Sequence, residues 1–334
     1  NGSKSEANTF AKLTWDSGPW HAYGDAQLRW ARFGFEGDLP LGSVSWTFFN
    51  PKVGVRRDLA KGLTAYASIG RTTREPARAD MLGGQDNPTI PYDLSAVKPE
   101  KVTAVELGTE WRGRKVTALV SLYAMEFRDE IALTGELSEI GLPLRRNVEK
   151  SSRRGIEWDV TWRPASWVTA RFTGNLNRSR ISEWTQYYDL YDADFAWTGS
   201  TSRTYADVRP LMTPPFVGNL SIDWSPVRPV SVGASGRWVT RAHLDNTNVE
   251  SLSAPSFFRL DASLALDLSG VVATGKPRLR LRVDNVLDER RSYPNGYSYL
   301  YAVEDGAGGE ALAGTPYFFP LATRNVSVSL DLSF

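Results

Sequence analysis

The chain has 334 residues, 39 basic against 38 acidic side chains, no cysteine, two histidines and three methionines. That balance gives no support to a nucleic-acid or anionic-surface partner, and the missing thiols exclude disulfides, thiolate metal sites and a thiol nucleophile. No apolar run approaches the roughly 18 residues of a membrane-crossing helix, yet there are twelve tryptophans, a residue that collects at membrane interfaces.

In chain order, 8–16, 20–36, 43–57 and 62–73 are predicted as strands from partial alternation of apolar and polar residues. Segment 103–111 alternates clearly, with Val105, Leu107 and Trp111 against Glu106 and Glu110. A weaker strand follows at 115–133. In 154–163, Ile156, Trp158, Val160 and Trp162 alternate with Glu157, Asp159 and Thr161, and 167–184 is weaker again. In 215–225, Leu220, Ile222 and Trp224 alternate with Asn219, Ser221 and Asp223, followed by a weak 230–244. Segment 257–268 sets Leu260, Ala262, Leu264 and Leu266 against Arg259, Asp261 and Ser263; 277–287 sets Leu279, Leu281 and Val283 against Arg278, Arg280, Arg282 and Asp284. The last eleven residues carry Val326, Val328, Leu330, Leu332 and Phe334 between polar neighbours. Strand side chains change face at every residue, so each segment has one greasy and one wet face. About ten such residues cross an outer membrane as a tilted strand. The reading is all-β: an antiparallel transmembrane β-barrel of about thirteen strands with no helix.

The connections alternate in length. Long ones are expected at 74–101, 134–151, 185–214, 245–256 and 288–323; those between them are short, and 37–42 alone is short on the long-loop side. Outer-membrane barrels sort their loops in this way, long outside and short in the periplasm. Trp15, Trp20, Trp111, Trp162, Trp167 and Trp224 lie beside short turns, as a periplasmic aromatic girdle would. An odd strand count conflicts with the even numbers of single-chain bacterial barrels. The expectation is therefore the C-terminal part of a larger barrel; a further strand near 142–150 would instead make fourteen. Asn1 is followed by no apolar leader segment, which also points to a processed or partial chain.

Five segments in order carry a family resemblance: Ala67-Ser-Ile-Gly-Arg71 with Arg74-Glu-Pro-Ala77; Val97-Lys-Pro-Glu-Lys101 running into Val105-Glu-Leu-Gly108; Ser152-Arg-Arg-Gly-Ile-Glu157; Val283-Asp-Asn-Val-Leu-Asp288; and the closing strand from Arg324 to Phe334. Over roughly 45–334 the chain resembles the C-terminal barrel of TonB-dependent outer-membrane receptors. The resemblance implies a barrel of about 22 strands with an N-terminal plug and coupling to TonB through the missing N-terminal part. Residues 1–334 are then a single partial barrel domain without the plug. It also implies the outer membrane of a Gram-negative bacterium, with lipid, lipopolysaccharide and the barrel assembly machinery as partners. The implied function is TonB-dependent uptake of a ferric siderophore or another large, scarce ligand such as cobalamin or a glycan. No cofactor is expected. Phe334 would serve as the assembly signal. The alternative is a passive porin or hydrophobic-ligand channel of about fourteen strands.

Candidate ligand residues cluster in two long loops: Tyr187, Tyr188, Tyr191, Trp197 and Arg203, and Tyr293, Tyr297, Tyr299 and Tyr301. Aromatic rings with nearby cations suit a catecholate or other flat, anionic chelate through stacking and cation–π contact, and sugars would stack there too. The bland reading is that these rings only pack the loops. Glu106, Glu157, Arg280 and Arg282 are expected to face the lumen or plug, and with both signs present no simple charge filter is expected. Asp189, Asp192 and Asp194 have oxygens for calcium, though a solvated acidic loop explains them as well. No Gly-x-Ser-x-Gly accompanies His21 or His243, so enzyme chemistry is not expected.

Overall fold

The computed structural model describes residues 2–85, 88, 91–137, 142–270, 275–304 and 309–333. Its strands are β1 (Gly2–Ser17), β2 (Trp20–Phe35), β3 (Gly42–Ala60), β4 (Leu63–Arg74), β5 (Glu100–Arg112), β6 (Val116–Leu137), β7 (Pro143–Ala165), β8 (Val168–Tyr191), β9 (Trp197–Val208), β10 (Phe216–Val227), β11 (Val230–Val239), β12 (Ala242–His243), β13 (Ser253–Ala254), β14 (Phe257–Asp267), β15 (Arg278–Asp284), β16 (Asn295–Glu304), β17 (Glu310–Phe319) and β18 (Asn325–Asp331). One single-turn helix, α1 (Arg78–Met81), stands in the loop after β4. Thirteen strands form the wall in the order β1 to β8, β10, β11, β14, β15, β18, each antiparallel to the next. Among the described residues β1 and β18 each pair on one side only, so the sheet is open.

The register sorts side chains into two faces. One row runs Leu107, Leu122, Ile156, Leu176, Phe216 across five neighbouring strands. Another runs Ala262, Val283, Val326 at the far end. Apolar side chains in these rows stay bare: Leu107 is 50% exposed, Leu122 52% and Val326 62%. Such a band would drive aggregation in water, but lipid satisfies it. The opposite rows are wet: Ser121, Glu157 and Asn175 stand side by side, as do Ser263, Arg282 and Ser327.

The family-like motifs have physical reasons in this register. Tyr66 and Tyr123 each lie across a neighbouring strand, and their rings occupy the space that a Cβ at Gly108 or Gly155 would need. The Tyr66 hydroxyl then donates to Glu106 at 2.7 Å. Asn285 is fully buried with φ +54° and ties the end of β15 to Glu289 and to Ala322. Asp288 accepts from the Arg324 N–H at 3.0 Å, which fixes where β18 begins.

Four expectations are corrected. Residues 142–150 are not a separate fourteenth strand: from Pro143 they open β7 and pair back onto the end of β6, with Glu130 opposite Val148 and Ala132 opposite Arg146. The predicted loops 185–214 and 288–323 are largely hairpins, β8–β9 and β16–β17. Above the membrane the lipid-facing apolar signal ends, while backbone pairing continues. The strand predicted over 230–244 stops at Val239, and α1 adds a turn of helix where none was expected. Phe334 lies outside the described residues.

Candidate functional site

On the long-loop side the β8–β9 and β16–β17 hairpins join. Ala302 and Val303 of β16 pair in parallel with Leu190 and Tyr191 of β8. The segment after β12 anchors this platform. Buried Asn246 donates to Leu133 O at 2.7 Å and accepts from the Leu211 N–H at 2.8 Å. Asn248 both accepts from and donates to the Arg209 backbone. Asp245 accepts from Ser298 at 2.7 Å. Three loops are thereby fixed relative to one another by buried polar contacts, each costly to leave unmade.

Between β8 and β16 lies a cavity of about 440 Å³, lined by Thr134, Gln186, Tyr187, Tyr188, Asp189, Ser200, Asp245, Thr247, Tyr297, Ser298, Tyr299 and Leu300. That volume lies in the range of small-molecule sites. It brings together four sequence-predicted tyrosines from two distant loops. Tyr187 stays 59% exposed and Tyr299 49%, while Tyr188 is 2% exposed and shares a 2.7 Å hydrogen bond with the Tyr205 hydroxyl. Burial, then that bond, raises the Tyr188 pKa. The hydrogen bond with Tyr191, then burial, pushes Tyr299 up to about 12. Both are therefore neutral phenols near pH 7, able to donate.

The other predicted loop residues lie around this cavity rather than in it. Tyr191 meets Tyr301 edge-on at 5.8 Å, with Phe195 against both. Tyr297 stacks on Tyr317 at 4.9 Å and Tyr293 on Phe318 at 4.4 Å. Trp197 donates to Asp189 at 3.3 Å, and Arg203 donates to Glu310 O at 2.8 Å. Asp192 accepts from the N–H groups of Asp194 and Ala196, closing the β8–β9 turn; among the described residues no group of three His, Cys, Asp or Glu could hold a metal ion. Sequence reasoning did not single out Thr134, Gln186, Ser200, Asp245, Thr247 or Ser298. Isolated polar loop residues carry no periodic signal of their position.

Of the charges predicted to face the lumen, three have partners on the wet rows: Glu157 accepts from Asn175 at 2.8 Å, Arg280 pairs with Asp331 at 3.4 Å and Arg282 with Asp284 at 2.7 Å. A second cavity, about 480 Å³, runs over the small residues Ser221, Gly233, Ser235 and Ser263 beside Arg278, Arg280 and Arg282. His243 lies at the outer rim, its pKa lowered by burial, and its Nδ1 has no hydrogen-bond partner among the described residues. Its ladder partner Ser253 donates its hydroxyl to Glu250 O.

The six tryptophans expected as a girdle are 39–57% exposed at the short-turn end: Trp15, Trp20, Trp111, Trp162, Trp167 and Trp224. The sequence model of a family described as TonB dependent receptor-like, beta-barrel matches residues 1–286. Among solved structures, the copper transporter OprC is 18% identical with a TM-score of 0.72, over 100% of this chain and 48% of that one. The siderophore receptor PiuA from Acinetobacter baumannii is 15% identical at 0.69, over 100% and 43%. The ferric yersiniabactin uptake receptor FyuA from Yersinia pestis is 16% identical at 0.66, over 100% and 46%. These identities carry the fold alone, and the chain spans about half the length of the structures it matches. No curated protein matches it in sequence.

Proposed function

This chain belongs to the TonB-dependent receptor-like β-barrel family, and on that premise we propose that it is the partial barrel of an outer-membrane receptor that takes up a ferric siderophore or a comparably large, scarce ligand. The observation that carries the reading is the pairing of β16 with β8, which sets Tyr187, Tyr188, Tyr297 and Tyr299 around one cavity on the long-loop side. In this reading the aromatic hairpins capture the ligand. The wet wall, with Glu106, Glu157, Arg280 and Arg282, faces a plug supplied by the rest of a longer protein, and TonB acts through that part. Phe334 would direct assembly into the outer membrane of a Gram-negative bacterium. The comparisons give no support to a passive porin.

The test uses the full-length protein as the sole receptor in cells offered a panel of ferric siderophores. Iron uptake is expected, and it should vanish without TonB. Uptake that persists without TonB, with steady ion conductance, would replace this reading with a passive channel. Combined Tyr297→Ala, Tyr299→Ala and Tyr301→Ala should weaken ligand binding roughly 10- to 2,000-fold, since each aromatic contact contributes about 0.5–1.5 kcal/mol. Assembly should be spared, because the wall pairs without β16. Unchanged affinity would remove these residues from the site.

A further inference from the structure

The charge of the cavity is more specific than its aromatic content. Among the described residues lining it there is no Lys or Arg, while Asp189 and Asp245 both face it. Asp245 is 5% exposed and held by Thr247 at 2.6 Å and Ser298 at 2.7 Å, which fixes its carboxylate in the wall. Asp189 is exposed and oriented by the Trp197 indole. The nearby guanidinium of Arg203 is engaged by Glu310 O. Arg146 lies over Trp184 and, at 5.3 Å, over Tyr187, so one wall ring already draws a cation to its face. Phenol rings that stay neutral add π-faces and donors but no positive charge. An anionic chelate placed here meets two carboxylates in the lining, while the cations Arg146 and Arg203 stand outside that lining, an arrangement that disfavours it. A cation meets ring faces and carboxylates together, the combination that aromatic cages use.

We propose that the cavity between β8 and β16 is a cation-recognising site, which takes the ammonium- or guanidinium-bearing end of a ligand and rejects an anionic one. This rests on the reading of the long-loop face as the ligand-capturing face, and narrows it. Tyr187, Tyr297 and Tyr299 supply the ring faces, Asp189 the pairing charge, and Asp245 a fixed field behind them.

The experiment compares choline with its neutral isostere 3,3-dimethyl-1-butanol, by calorimetry and saturation-transfer NMR, on the full-length protein in an uncharged maltoside detergent. Choline should bind at least tenfold more tightly. Asp189→Asn keeps an acceptor for the Trp197 N–H and should cut the preference for choline several-fold; Tyr299→Ala should weaken choline. Equal binding of the isostere, no choline binding, or a preference left undiminished by Asp189→Asn overturns the proposal. Choline is not a siderophore, so these outcomes leave the uptake reading standing. A failed uptake assay beside an intact choline preference would sink only the uptake reading.

Discussion

Leu122→Arg is expected to cost about 2–4 kcal/mol of folding stability in a bilayer, the usual cost of a cation on the lipid face of a barrel near the midplane. Leu122 stands between Leu107 of β5 and Ile156 of β7 and is 52% exposed, with no polar neighbour in its row. Thr173→Arg is the control. Thr173 stands two strands on, in β8, but on the wet face, between Asp159 and Asn219. Arginine there has water and a carboxylate, and the change should stay within about 1 kcal/mol. Urea titration of protein folded into lipid vesicles measures both. Equal costs would mean that the two positions do not differ in environment, and a larger cost at Thr173 that the faces have been assigned the wrong way round.

The wall was legible because its chemistry repeats at every second residue. Val105, Leu107 and Trp111 against Glu106 and Glu110 announce both a strand and its two faces, and the register puts Leu107 beside Leu122 as that alternation requires. The motif glycines were visible as motifs but not as mechanism. Gly108 matters through Tyr66, about forty residues away, and only pairing of β4 with β5 brings the two together. Above the membrane the same periodicity lost its meaning. Residues 185–191 have polar and aromatic side chains on both faces, so they read as loop although they are the upper end of β8. The join of β16 to β8 rests on two residue pairs from distant parts of the chain. No local pattern encodes it, and with it the cavity was out of reach. The tyrosines could be nominated by type. Asp245 could not, since it enters only through Ser298 and Thr247.

Glu75→Ala is expected to open the loop after β4. Glu75 is 8% exposed and lies just beyond β4, outside the membrane-spanning segment. Arg29 grips both its oxygens, at 2.5 and 2.6 Å, and Lys4 reaches it at 2.8 Å. Burial alone would raise its pKa, but the hydrogen bonds from Arg29 and Lys4 outweigh it and hold the carboxyl at about 2, against an ordinary 4.5. That difference corresponds to ~3 kcal/mol favouring the folded loop, of the order seen when one partner of a buried pair is removed. Because the folded pKa is the depressed one, this stabilisation is fully present above about pH 4.5. It declines as pH falls and is lost on passing through about pH 2. The loop has its own small core, where Met81, Leu82 and Leu94 pack on Phe33 and Phe35. The wall, by contrast, is held by ladders that do not involve Glu75. The effect should therefore be local: amide hydrogen exchange at 80–85 and 91–96 should accelerate by roughly 10² at neutral pH, while the amides of β4 and β5 keep their protection. Glu75→Gln should share most of this loss and remove the acid sensitivity of the loop between about pH 4.5 and 2. An unchanged acid profile in Glu75→Gln would show that other carboxylates govern the loop, and that the Arg29–Glu75–Lys4 contact is not what holds it to β1 and β2.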